Sequence, residues 1–276
     1  MDAIVRTMFL TARVVRSMLR RRWIAGVIMA VCAVWHVASA YWIIGGVLGA
    51  LTIVQVIVHE LGHYAAARIC GVRILGVFLS LPTPGTGATI PDQDFETRQE
   101  EALFIAGGPI ACLVLTLLSI AVWQLTGWES LRFATIAMGF AGAAELIPIN
   151  PLDGGWLLKS VFFSFGWRWG IGFLIWSCIA CIAIIILTVI YGYGDMIKFS
   201  PLFFSAGFFS GVELLLYTRY TNRNRNAWET IIGEGTPMIV TNTIKTPMRK
   251  SVACAFIVLY VMLVIAYIGI FIFTRV

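Results

Sequence analysis

Charge is what this sequence has least of. Asp, Glu, Lys and Arg make up 12% of its 276 residues, against about 25% in soluble domains, which excludes an ordinary soluble globular fold. Acid is scarcer than base, with 14 Asp and Glu against 20 Lys and Arg, and there are only three histidines. The surplus of base does not mark a nucleic-acid surface, because the Lys and Arg sit in short runs beside apolar segments, where they act as topology signals. A secreted disulfide framework is also missing: Cys32, Cys70, Cys112, Cys178, Cys181 and Cys254 fall within or at the ends of apolar stretches. Cys178 and Cys181 are too few to hold a metal by themselves and are read as packing residues. What the chain does have is hydrophobic residues, 59% of the total. They come in runs of about 20, the length with which a helix crosses a hydrocarbon core of about 30 Å.

Seven such stretches can be marked: Trp23 to Tyr41, Ile43 to Ala66, Ala102 to Leu125, Phe133 to Pro151, Gly170 to Tyr191, Pro201 to Tyr217 and Val252 to Phe273. The expected fold is therefore an all-α polytopic membrane protein of about seven transmembrane helices. Arg6, Arg13, Arg16, Arg20, Arg21 and Arg22 precede the first stretch, which places the N-terminus in the cytoplasm. Alternating from there, 17 of the 20 Lys and Arg fall on the cytoplasmic side, and only Arg132, Lys198 and Arg275 do not. A cleaved signal peptide ending at Ala38-Ser39-Ala40 is the rival reading of the start. The apolar sequence continuing from Tyr41 and the long arginine-rich start speak against it.

The organisation that follows is a basic cytoplasmic tail over 1–22 and a first transmembrane helix over 23–42. A core over 43–160 then holds three transmembrane helices, and C-terminal transmembrane helices over 161–276 carry a polar cytoplasmic loop at 218–251. Inside the core, Val72 to Leu81, the turn-rich Pro82-Thr83-Pro84-Gly85-Thr86-Gly87 and Ala88-Thr89-Ile90 predict a β-hairpin, a small membrane-associated β-region at 71–90. Tryptophans such as Trp23, Trp42, Trp128 and Trp167 flank the spans as interfacial anchors.

The second stretch contains His59-Glu60-Leu61-Gly62-His63. Two imidazoles at i and i+4 lie on one helix face and can share one metal ion, with a glutamate beside them. His and Glu inside an apolar helix are expensive without partners, which weighs against a bland reading. A catalytic zinc needs a third protein ligand and an open position for water. His36, the remaining histidine, lies about 14 Å from the level of His59 when depth is reckoned at 1.5 Å per residue, and is read as a packing or interfacial residue. Asp153 is the better candidate. It follows Pro148-Ile149-Asn150-Pro151-Leu152 and precedes Gly154-Gly155, a run that breaks the helix and lets a carboxylate turn inward near the cytoplasmic boundary.

These residues carry a resemblance. His59-Glu60-Leu61-Gly62-His63, then Ala106-Gly107-Gly108-Pro109, then Asn150-Pro151-Leu152-Asp153-Gly154 together resemble the site-2 protease family of intramembrane zinc metalloproteases, over about residues 43 to 160. The resemblance implies a Zn2+ cofactor held by His59, His63 and Asp153, with Glu60 as catalytic base. It also implies a role for Asn150 in holding substrate or intermediate, with Gly108 and Pro109 beside the site. The hairpin then corresponds to the family's β-region, which takes unwound substrate as an added strand. Two positions depart from the family pattern: Cys112 stands where an asparagine often ends Gly-Pro-x-x-Asn, and Glu145 stands where an asparagine often lies eight residues before the ligand aspartate. The short loop between the third and fourth stretches, residues 126–132, leaves no room for a PDZ domain, and no CBS pair is found.

The expected function is hydrolysis of peptide bonds within or near transmembrane segments, as in regulated intramembrane proteolysis, with cleavage towards the cytoplasmic face. Partners expected are a transmembrane protein substrate, a regulatory membrane partner and the lipid bilayer, and no nucleic acid. The expected location is the plasma membrane. Two alternatives stay open: a membrane zincin that cuts soluble or lipidated peptides, and a non-proteolytic metal-dependent scaffold. Glu145 and Glu213 lie about 18 Å into their stretches by residue count and are read either as sharing a proton or lining a water path to the zinc, or as protonated carboxyls bonded to neighbouring helices.

Overall fold

The computed structural model describes residues 17–43, 46–79, 87–190, 207, 210–215 and 245–275, with backbone only for 35–43, 46–52, 79, 87, 189 and 275. The arginine tail, the hairpin turn, most of the stretch from Pro201 to Tyr217 and most of the loop 218–251 lie outside the described residues, as does the side chain of His36.

The elements in order are α1 (Arg22–Ile43), α2 (Gly46–Ile69), β1 (Ile74–Leu79), β2 (Gly87–Pro91), α3 (Arg98–Thr126), α4 (Glu129–Glu145), α5 (Asp153–Phe165), α6 (Trp167–Ile190) and α7 (Lys250–Arg275). Among the described residues, three helices are long and apolar enough to cross a membrane: α3, α6 over Trp167–Thr188, and α7 over Lys250–Thr274. The architecture is thus mostly helical with a small two-stranded sheet, and the described residues account for three of the seven expected spans. The stretch Phe133 to Pro151 shows one reason. Its helix, α4, stops at Glu145 after 17 residues, about 26 Å at 1.5 Å per residue, and the prolines that follow, Pro148 and Pro151, lie in an irregular segment leading into α5.

By contacts the chain falls into two units. The first comprises Met1–Asp94, Leu103–Leu146 and Val258–Val276. Its centre is the crossing of α2 and α3, where Gly62 and Gly107 face each other so closely that a Cβ on either would overlap the other's carbonyl. Ala66 and Ala111 flank that contact, the small-residue packing that membrane helices use in place of a hydrophobic driving force. Cys112, Leu146, Leu263, Tyr267 and Ile270 form a buried cluster, and the Tyr267 hydroxyl donates to the Pro109 carbonyl at 2.9 Å.

Strands β1 and β2 pair antiparallel, with Val77 opposite Thr89 and Phe78 opposite Ala88 and an irregularity between Ile74 and Gly76. Alternation along a strand sends successive side chains to opposite faces. Phe78 and Ile90 use one face to pack with Leu19, Ala25 and Met29, which leaves Thr89 on the other face, towards α2.

The second unit comprises Phe95–Ala102 and Ile147–Ile257. It opens with a capping box: the Thr97 backbone N–H donates to the Glu100 carboxylate and the Glu100 N–H to the Thr97 hydroxyl, both at 3.1 Å. Glu101, fully buried, accepts from Lys245 Nζ at 2.7 Å, Ser160 Oγ at 2.7 Å and Trp156 Nε1 at 2.9 Å. The Arg98 guanidinium lies 4.6 Å from the centre of the Phe163 ring. The chain around Thr246 is held to the same segment, its N–H donating to the Glu96 carbonyl and its carbonyl accepting from the Arg98 N–H.

These contacts bear on the charge reading. Arg98, Lys159 and Lys245, which the sequence places in cytoplasmic connections, are all buried, and both lysines sit in ion pairs, Lys245 with Glu101 and Lys159 with Glu213. Cations satisfied in this way inside the protein carry no topology signal, which weakens the count on the cytoplasmic side.

Candidate metal centre

Helix α2 brings the two histidines of the motif onto one face, as i, i+4 spacing requires. Their Nε2 atoms are 3.0 Å apart and the rings meet edge to face, with centroids 4.7 Å apart. His63 Nδ1 lies 2.8 Å from the Phe104 carbonyl oxygen. A carbonyl can only accept, so Nδ1 carries the proton and Nε2 presents its lone pair, the tautomer a metal ligand needs. On His59, Nδ1 lies 3.5 Å from the sulfur of Cys112, whose Sγ is 3.7 Å from the Gln55 carbonyl oxygen. With its proton on Nδ1, His59 donates to the sulfur, the thiol donates to Gln55, and His59 Nε2 is also left as a lone pair.

Two bare lone pairs this close repel unless a cation lies between them, and tetrahedral zinc with Zn–N bonds of about 2.0–2.1 Å holds its nitrogens about 3.3 Å apart. The pair therefore fits zinc. Space for the ion is kept by Gly108, where a Cβ would lie 2.5 Å from His63 Nε2 and 2.6 Å from His59 Nε2. Gly108→Ala is accordingly expected to remove most of the bound zinc while the protein still folds, measured as metal per chain after purification. A fully loaded Ala variant would show that the gap is not the metal's.

Glu60 is buried next to the pair, and its Oε2 accepts a 2.6 Å hydrogen bond from the hydroxyl of Thr89 on β2. The first unit thus assembles His59, Glu60, His63, Gly108 and Pro109. Glu145, also in this unit, is the last residue of α4 and half-buried.

Asp153 and Asn150 belong to the second unit. Asp153 is the first residue of α5, behind an N-cap at Leu152 that makes no side-chain capping bond. It is therefore not itself the cap, and as an acid in a first turn it is favoured by the helix dipole. Asn150 is held on every side. Its N–H donates to Ser177 Oγ at 2.9 Å and its carbonyl accepts from Ser210 Oγ at 2.9 Å. Its side-chain amide donates to Glu213 Oε2 at 3.0 Å and to Ser210 Oγ at 3.4 Å, and its side-chain oxygen accepts from Lys159 Nζ at 3.3 Å. Lys159 and Glu213 form an ion pair at 3.0 Å with both side chains buried.

Glu213 is thus the partner of a lysine and an asparagine. Spacing arguments along single helices could not find Lys159, since it lies 54 residues from Glu213 in sequence. Thr89 was equally hidden as one residue of a predicted strand, although the alternation of that strand could have assigned its face. Cys181 is fully buried and Cys178 is half-buried, its thiol near the Gly207 carbonyl, in keeping with packing roles.

No protein-family model matches the chain. It is similar to the stage IV sporulation protein FB of Bacillus subtilis, 34% identical over 144 residues, which are 46% of this chain and 47% of that protein. It is also similar to a zinc metalloprotease of Methanocaldococcus jannaschii, 29% identical over 128 residues, 45% of this chain and 35% of the relative. The chain therefore spans about half the length, or less, of the curated relatives it matches. The second of these and a putative zinc metalloprotease of Synechocystis, 29% identical over 140 residues that are 49% of this chain and 36% of the relative, are named as zinc metalloproteases and stand behind the site-2 protease resemblance carried by the motifs.

Proposed function

We propose that this chain is an integral membrane zinc endopeptidase that cuts peptide bonds within or near transmembrane segments of other proteins, as in regulated intramembrane proteolysis. His59, His63 and Asp153 hold the zinc in this reading. The observation that carries it is the histidine pair with its Nε2 atoms converging on the gap at Gly108, beside a buried glutamate. A purely structural metal site has no need of that glutamate.

Bound zinc supplies Lewis acidity, activating water near neutral pH and polarising the scissile carbonyl. Glu60 takes the proton from the attacking water and delivers it to the leaving amine. The carbonyls of Phe104 and Gln55, the latter through Cys112, hold the imidazoles in register. A substrate helix hides its carbonyls in internal hydrogen bonds and must unwind before attack, and the hairpin edge offers replacement partners. The arginine-rich start supports a cytoplasmic N-terminus in the plasma membrane, with cleavage towards the inner face. Selectivity in this reading comes from the β-region, the segment 218–251 or a regulatory membrane partner.

The test is zinc content and cleavage of a model transmembrane substrate by the purified protein in detergent, comparing wild type with Asp153→Ala. One zinc per chain, weakened by the substitution and accompanied by loss of cleavage, supports both the reaction and the third ligand. Chelation should abolish cleavage and added zinc should restore it. A zinc-loaded chain that cuts no membrane substrate argues for the scaffold reading.

A further inference from the structure

We propose that Thr89 is a positioning residue for the reaction, holding the carboxylate of Glu60 in place from the β-hairpin; this rests on the metalloprotease reading above. The Thr89 hydroxyl donates to Glu60 Oε2 at 2.6 Å and lies 3.2 Å from the Glu60 backbone oxygen. Both residues are buried, so water does not substitute freely for that donor. The pairing of Val77 with Thr89, together with the packing of Phe78 and Ile90 against Leu19, Ala25 and Met29, fixes which face Thr89 occupies.

A carboxylate that must accept a proton from water and pass it on has to present one oxygen to the reacting atoms in a fixed orientation. Thr89 engages Oε2 and thereby fixes the orientation of the carboxylate. The hydroxyl also ties the base to the strand that sits beside the hairpin edge, so the element expected to receive substrate and the group expected to move protons share one hydrogen bond.

The experiment compares Thr89→Val, which keeps the shape and removes the hydroxyl, with Thr89→Ser, which keeps the hydroxyl. Cleavage of the model transmembrane substrate and zinc content are read for each. Labelling of Glu60 by a hydrophobic carbodiimide is followed by mass spectrometry, a readout that needs no activity. The expected result for Val is a kcat lower by about ten- to hundredfold, the range for losing a hydrogen bond to a charged group, with KM and zinc content unchanged and faster labelling of Glu60. Ser should restore all three to near wild type.

A Val variant with wild-type kcat and labelling overturns the proposal. So does a loss of activity that Ser does not recover, or one that comes with lost zinc, since either would make Thr89 a packing residue. A wild-type chain that holds zinc and does not cleave sinks the protease reading itself, and carries this role down with it.

Discussion

Glu60→Gln is expected to keep its zinc and to lose cleavage by about 10²- to 10⁴-fold, the usual contribution of a positioned proton-transfer group. Gln matches Glu in shape and can still accept the Thr89 hydroxyl through its amide oxygen, so the contact between α2 and β2 survives. The two histidines keep their own supports at Phe104 and Cys112. What disappears is the basic oxygen, and with it the means of taking a proton from water. Metal content and single-turnover cleavage, measured on the same preparation, separate the two effects. Full activity in the Gln variant would remove Glu60 from the reaction and leave the histidine pair as a binding site only.

The largest effect on stability is expected at Glu101. Its carboxylate accepts from Lys245, Ser160 and Trp156 with no exposed surface. Glu101→Ala removes the acceptor for all three and strands a buried ammonium on Lys245, a change that typically costs about 3–5 kcal/mol. The measurement is the unfolding midpoint in detergent. The companion variant Glu101→Leu with Lys245→Met should regain most of the loss, because removing both charges leaves neither buried alone. If the single Ala variant melts like wild type, the cluster is worth little and the surrounding apolar packing holds α5 by itself.

What could be read in advance follows from how far apart in sequence the interacting groups are. The histidine pair was legible because one helix turn relates its members, and the hairpin because its turn residues and alternation are local. The break before Asp153 was equally plain, since Pro148, Pro151, Gly154 and Gly155 punctuate a short run. The Lys159 to Glu213 and Lys245 to Glu101 pairs join residues 54 and 144 positions apart, and no periodicity reports them. A reading of charge along the sequence therefore counts both lysines with the loops. Cys112 was noticed only as a departure from a pattern; its placement against His59 and Gln55 gives it a physical task.

The meeting of Gly62 and Gly107 has a consequence for how the site responds to its surroundings. Helices separated by long side chains can slide as those chains change rotamer, and their separation drifts with temperature and with the thickness of the lipid around them. Here the two backbones touch directly at the contact, so no rotamers remain there to absorb such a change. The spacing between the histidines and Gly108 is then a hard dimension, held constant across bilayers of different composition. Adaptation to cold, heat or a new lipid mixture must be made on the outer faces of α3 and α7, where Leu118, Val258 and Ile265 are exposed.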